Sequence, residues 1–144
     1  DVWDVVMVGF NMLNPSARKT ILSATMEKGV GVLNMFAVRR ALSQPQRLQS
    51  LCAELIASKA INSDGLNPSD PLGFVLQMSD AATFPEAAYR FCRHQPGIHV
   101  VLTGTGNPEH LRENVAAILK PALPETVLRK LDHLFGRLDS LSGN

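Results

Sequence analysis

Apolar residues fall along this chain in two rhythms. Three short runs are almost continuously apolar and rich in β-branched residues: Trp3 to Gly9 (WDVVMVG), Val30 to Leu33 (VGVL) and Ile98 to Leu102 (IHVVL). Such runs suit strands covered on both faces in a parallel sheet. Elsewhere the apolar positions recur at helical spacing. Asn14-Pro15-Ser16 reads as a helix start, Ile21, Leu22, Thr25 and Met26 follow at helical intervals, and Lys28-Gly29 closes the segment. Ser43 reads as the cap of a helix from Pro45 to about Ala60, with Leu48, Leu51, Cys52, Leu55 and Ile56 on one stripe. Asn62 to Pro71 is turn-rich, and Gly73 to Met78 fits either a strand or a short helix. Thr83 caps an expected helix from Phe84 to Arg93, and Gln95-Pro96-Gly97 stops it. Helices are expected again from Pro108 to Leu119 and from Glu125 to Leu138, the last with Val127, Leu128, Leu131, Leu134, Phe135 and Leu138 on one side.

Strands and helices therefore alternate, which predicts an α/β fold with parallel strands. Three strands are too few to close a barrel, which takes about eight, and an open three-stranded parallel sheet leaves two bare edges. The pattern reads as one portion of a larger sheet. Residues 1–144 read as a single unit, without an internal repeat or a low-complexity segment.

Composition narrows the function classes. The chain is 45% hydrophobic and 19% charged, with a net charge of +1, which fits a globular protein. No basic stripe with interleaved aromatics is present, so nucleic acid is not an expected partner. No apolar run approaches the roughly 20 residues of a membrane span, and no signal peptide is visible, so a cytoplasmic location and no membrane partner are expected. Cys52 and Cys92 lack Cys-x-x-Cys spacing and read as buried, reduced thiols. The four histidines (His94, His99, His110, His133) show no metal-ligand spacing, so no metal is expected.

The stretch Leu102 to Asn114, LTGTGNPEHLREN, carries the most chemistry. It joins an apolar strand to a helix start. The first N–H groups of a helix lack intrahelical partners, and the helix dipole favours an anion there. Gly104 and Gly106 allow close backbone approach and tolerate positive φ, Thr103 and Thr105 add hydroxyls, and Asn107-Pro108 is a good N-cap and N1 pair. The other reading of the same glycines is a tight strand-to-helix connection. Neither the dinucleotide fingerprint nor the Walker loop is matched: Glu109 stands where a third glycine would be, and Gly-Lys-Ser/Thr is absent.

The segment Ile98 to Ile118, IHVVLTGTGNPEHLRENVAAI, resembles the last strand and following helix of the aldo/keto reductases. Trp3 to Asn11 is similar to the family's sixth barrel strand, Lys28 to Val38 to the seventh, Pro85 to Arg93 to the helix before the eighth, and Ile98 to Leu102 to the eighth itself. The resemblance implies that this chain is the C-terminal portion of a (β/α)8 TIM barrel, about the last three strands with their helices. It further implies an oxidoreductase that moves hydride between NAD(P)H and a small carbonyl or alcohol substrate, with NADP(H) ahead of NAD(H) as cofactor.

Residue by residue, the resemblance assigns a cofactor seat. Thr103, Gly104, Thr105 and Gly106 form the loop that holds the adenosine end. Thr105 falls where a serine or threonine touches the 2′-phosphate, and Glu113 and Asn114 fall on a pair that reaches the adenosine. Gly104 stands where many members carry lysine, and His110 where an arginine is common. Met35 occupies the position of an aromatic that stacks on the nicotinamide, and Met7 that of a glutamine. Phe36, Val38, Arg39 and Arg40 lie in the loop beside the pyrophosphate; for the two arginines a solvated pair at a helix start is an equal reading. Asn11 and Asn34 are expected near the same barrel mouth.

The family's catalytic Asp, Tyr, Lys and His come from the early barrel. The sole tyrosine here, Tyr89, sits among Ala87, Ala88 and Phe91 in an expected helix and reads as a packing residue. No catalytic residue is assigned, and the isolated chain is expected to be inactive. Two other functions stay open: a nucleotide-binding or regulatory module without redox activity, and an interaction domain presenting its amphipathic helices 45–60 and 125–138.

Overall fold

A computed structural model describes residues 2–139. Three parallel strands, β1 (Val5–Gly9), β2 (Gly31–Met35) and β3 (Val100–Val101), lie in the order β1-β2-β3. Val5 to Gly9 pair with Gly31 to Met35, and Leu33 and Asn34 with Val100 and Val101. Each strand adds to the same side of the last, with helices in the crossovers: α1 (Ile21–Lys28) after β1, then α2 (Arg40–Ser43), α3 (Pro45–Ala57), α4 (Gly73–Gln77) and α5 (Phe84–Arg93) between β2 and β3. Helices α6 (Pro108–Ile118) and α7 (Glu125–Phe135) follow β3.

Several boundaries differ from the sequence reading for identifiable reasons. Trp3 stays outside β1 and is 70% exposed, because pairing begins only where Val5 meets Gly31. A 3-10 turn at Ser16–Arg18 precedes α1, so the helix starts later than Asn14-Pro15 suggests. The cap of α3 is Gln44, not Ser43; Ser43 ends the short helix α2 and returns its hydroxyl to the Arg40 carbonyl. The ambiguous segment at 73–78 is helix α4. Strand β3 is short because His99 intervenes: its backbone N–H bonds the Val32 carbonyl, but its Nδ1 takes the Val32 N–H at 3.0 Å.

The strands are not covered on both faces. Val8, Val32 and Asn34 point into the helical layer and are buried. On the opposite face Met7 and Val100, which flank Leu33 in register, are 56% and 45% exposed. An apolar sheet face is therefore open among the described residues. Leu111, Val115 and Leu119, spaced four apart along α6, are exposed as well. By contrast, Leu48, Cys52 and Leu55 of α3 and Val127, Leu131, Leu134 and Phe135 of α7 are buried in the chain's own core. Those two helices offer no free apolar stripe, which removes the basis for reading them as partner-binding faces.

Arg90 of α5 is buried, and each nitrogen of its guanidinium is bonded. Nε donates to the Pro121 carbonyl at 2.8 Å, Nη1 pairs with Glu86 at 3.2 Å, and Nη2 pairs with Asp80 at 2.7 Å. Nη2 also donates to the Ala122 carbonyl, and Lys120 reaches Glu86 at 2.9 Å. This cluster fastens the turn that follows α6 to α5.

Candidate cofactor site

Two segments meet at the C-terminal ends of β2 and β3. At the end of β2, Phe36 has φ 64, a left-handed conformation that a non-glycine residue adopts at a cost of about 1 kcal/mol or more. Asn11 holds it: Nδ2 donates to the Phe36 carbonyl at 3.1 Å, while Oδ1 accepts from the Leu13 and Asn14 N–H groups. Beneath the Phe36 ring lies Gly9, where an added Cβ would come within 3.3 Å of Cδ2. Over the ring lies the Arg39 guanidinium, 4.0 Å from its centroid.

After β3 the chain opens into the Thr103 to Asn107 loop. Thr105 Oγ1 accepts from the Asn107 N–H at 3.1 Å, and Asn107 Oδ1 caps α6 by accepting from Glu109 N–H at 3.0 Å. Pro108 begins the helix as expected. Neither Gly104 nor Gly106 has positive φ, and nothing stands within 4 Å of where their Cβ atoms would be. These glycines leave open space at the loop; turn geometry does not require them.

Thr103 is the hub between the loop and the helices. Its Oγ1 accepts from Tyr89 OH at 2.8 Å and from Asn114 Nδ2 at 2.7 Å. Burial lifts the Tyr89 phenol above its ordinary value, and the Thr103 bond offsets only part of that.

The two segments enclose one cavity of about 730 Å³. It brings together Met35, Phe36 and Val38 from one side and Thr103, Gly104, Thr105, His110, Glu113 and Asn114 from the other. Arg39, Arg40 and Gly106 are not in its wall; Arg39 reaches it only through the Phe36 ring. Met7 lies on the open sheet face, and Asn34 is buried with neither its amide nitrogen nor its oxygen hydrogen-bonded. The wall also contains Ser43, Pro85, Leu102 and Tyr89, which the sequence reading did not place there. For Tyr89 no local pattern could have done so, because its hydroxyl arrives through the packing of α5 on β3.

A second cavity, about 640 Å³, lies where α5 meets α7. Two of its three lining arginines are paired, Arg18 with Asp132 at 2.8 Å and Arg90 as above. Cys52 and Cys92 are free and buried, and burial raises the Cys52 thiol to about 11 and holds Cys92 higher still. No cluster of metal-ligating side chains occurs among the described residues, and no helix there is long and apolar enough to cross a membrane.

A parallel sheet with crossover helices and a cavity at its C-terminal edge is common to β/α barrels and open doubly wound sheets. Solved structures distinguish the two. The chain is similar to an aldo-keto reductase from Bacillus halodurans, with a TM-score of 0.60 against its apo form and 0.59 against its holo form, at 12% identity in both. These matches cover 97% and 96% of this chain but only 46% and 45% of the solved ones. The chain thus spans less than half the length of the structures it matches. At this identity the likeness establishes the fold, and it falls on the family that the C-terminal segment resembles. No protein-family model matches the chain.

Proposed function

We propose that this chain is the cofactor-binding, C-terminal part of an aldo/keto-reductase barrel whose intact form transfers hydride between NAD(P)H and an aldehyde or ketone. One observation carries the reading. Residues 35–38 and residues 103–105, 110, 113 and 114, far apart in sequence and matched to the family's seventh- and eighth-strand ends, line the same cavity.

The donor set suits a dinucleotide. The Thr103 and Thr105 hydroxyls and the Asn114 amide offer hydrogen bonds to phosphate and ribose oxygens. Gly104 and Gly106 leave room for the ligand against the backbone. Met35 and the strained, Asn11-held Phe36 give the other wall an apolar face on which a flat ring can pack. The nicotinamide, when bound, supplies the hydride.

The proton for a carbonyl oxygen comes from outside this segment. Tyr89 is 5% exposed, its hydroxyl is committed to Thr103, and its phenol is harder to ionise than usual. The open apolar sheet face and the Leu111-Val115-Leu119 stripe suit cover by the remaining strands and helices of the barrel.

The test is a cofactor titration of the intact protein, followed by fluorescence, with Asn114→Ala alongside. Saturable binding that weakens several-fold in the variant is expected. No binding by the intact protein removes the reading, and unchanged affinity in Asn114→Ala removes the site assignment.

A further inference from the structure

We infer that this site takes the dinucleotide without a 2′-phosphate, NAD(H), in preference to NADP(H). The inference rests on the cavity assignment proposed above. A phosphate monoester carries close to two negative charges at neutral pH. Bringing it to a partly enclosed wall removes hydration that only charge-assisted hydrogen bonds replace well.

No lysine or arginine lines this cavity. The ionisable groups on the α6 wall are Glu113, a carboxylate, and His110, an imidazole rather than a permanent cation. Two arginines of the flanking segments are held outside the wall. Arg112 pairs with Glu109 on the exposed surface of α6, and Arg39 stacks on Phe36 on the opposite wall. The remaining side-chain donors, the Thr103 and Thr105 hydroxyls and the Asn114 amide among them, are neutral.

A ribose hydroxyl meets a different reception. It can donate to the Glu113 carboxylate, as an acidic side chain does for ribose in other dinucleotide sites. The same carboxylate repels a phosphate. Both effects act at a solvent-exposed helix face, so screening limits them and the discrimination is expected to be moderate. The wall also shows where the missing charge would fit. Gly104 has no positive φ and no atom within 4 Å of an added Cβ, so a side chain can start there without backbone strain or a clash at Cβ.

The experiment titrates the intact protein with NADH and with NADPH, in low salt and at mildly alkaline pH, and reads binding directly rather than turnover. NADH is expected to bind at least about tenfold more tightly than NADPH. Gly104→Lys is expected to narrow that gap by strengthening NADPH relative to NADH, the ratio of the two affinities being the quantity read. Retained NADH binding also shows that the variant is folded; if it is lost, His110→Arg serves instead. Equal or tighter binding of NADPH by the unaltered protein overturns the inference and leaves the cavity assignment standing. A preference for NADH that neither substitution moves overturns the assignment of selectivity to this wall. Failure of both nucleotides to bind removes the cavity assignment and the inference with it.

Discussion

Tyr89 of α5 and Thr103 at the end of β3 are joined by a hydrogen bond of 2.8 Å, and the acceptor oxygen is the one that also holds Asn114. Helix, strand end and the wall of the cavity are thereby fixed to one another. Removing the phenol hydroxyl in Tyr89→Phe frees one acceptor site on Thr103 and leaves the packing of the ring intact. The expected cost is about 1 kcal/mol of stability, typical of one hydrogen bond, together with a several-fold loss of cofactor affinity as Thr103, which holds Asn114, loses one of its two partners. Urea denaturation and fluorescence titration measure the two effects separately. A stability loss without any change in affinity would make Tyr89 purely structural.

Arg90 is expected to be among the most sensitive positions. Arg90→Met keeps much of the side-chain volume but leaves the Pro121 and Ala122 carbonyls without their donor and Glu86 with Lys120 and the Ala82 N–H. Breaking a buried, multiply bonded charge in this way costs about 3 kcal/mol or more. Asp80→Asn, at a carboxylate 70% exposed, is expected to change stability little. Chemical denaturation of the two variants side by side checks the contrast.

The same cluster sets an acid limit. The Arg90 hydrogen bond lowers Asp80 below the ordinary carboxylate value. Burial alone would raise Glu86, but hydrogen bonds from Lys120, the Ala82 N–H and Arg90 outweigh it and the net shift is downward. A carboxyl group lowered in the folded state is bound by fewer protons there than in the unfolded chain. Its stabilisation is therefore complete above the unfolded value and is lost as pH falls through the folded one. Stability is expected to be flat near neutrality and to decline below about pH 5. The decline should be shallower in Glu86→Gln, which a series of thermal melts across that range would reveal.

The 144-residue chain by itself is expected to reduce no carbonyl compound, because its one tyrosine is committed to Thr103. Its open apolar faces, Met7 and Val100 on the sheet and Leu111, Val115 and Leu119 on α6, should also make it bind a hydrophobic dye. Purified chain, freed of host reductases and assayed with NADH and NADPH, tests the first point. Sustained turnover would show that a proton donor has been overlooked.

Much of the architecture was legible because its signals are local. VVMVG, VGVL and IHVVL announce strands, and Thr83 and Asn107 cap α5 and α6 as their residue types suggest. Boundaries were less legible where tertiary pairing decides them, as at Trp3 and at His99, whose ring replaces a backbone partner. The loop LTGTGNPEHLREN stands out in the sequence, and the fold sets part of it in a cavity wall, but the reason for its glycines is not legible there. Only the fold shows that Gly104 and Gly106 have ordinary φ and make space. Phe36 in a left-handed conformation and Tyr89 at the cavity wall depend on Asn11 and Thr103, which lie 25 and 14 residues away. The sheet was read as covered on both faces because its runs are apolar throughout, whereas the described residues cover one face alone.

A crystal structure of the intact protein grown with NADH tests the central claim most directly. The dinucleotide is expected in the cavity between residues 35–38 and 103–114, with its adenosine end against Glu113 and Asn114. Ordered cofactor elsewhere in the molecule, with this cavity empty, would contradict the assignment.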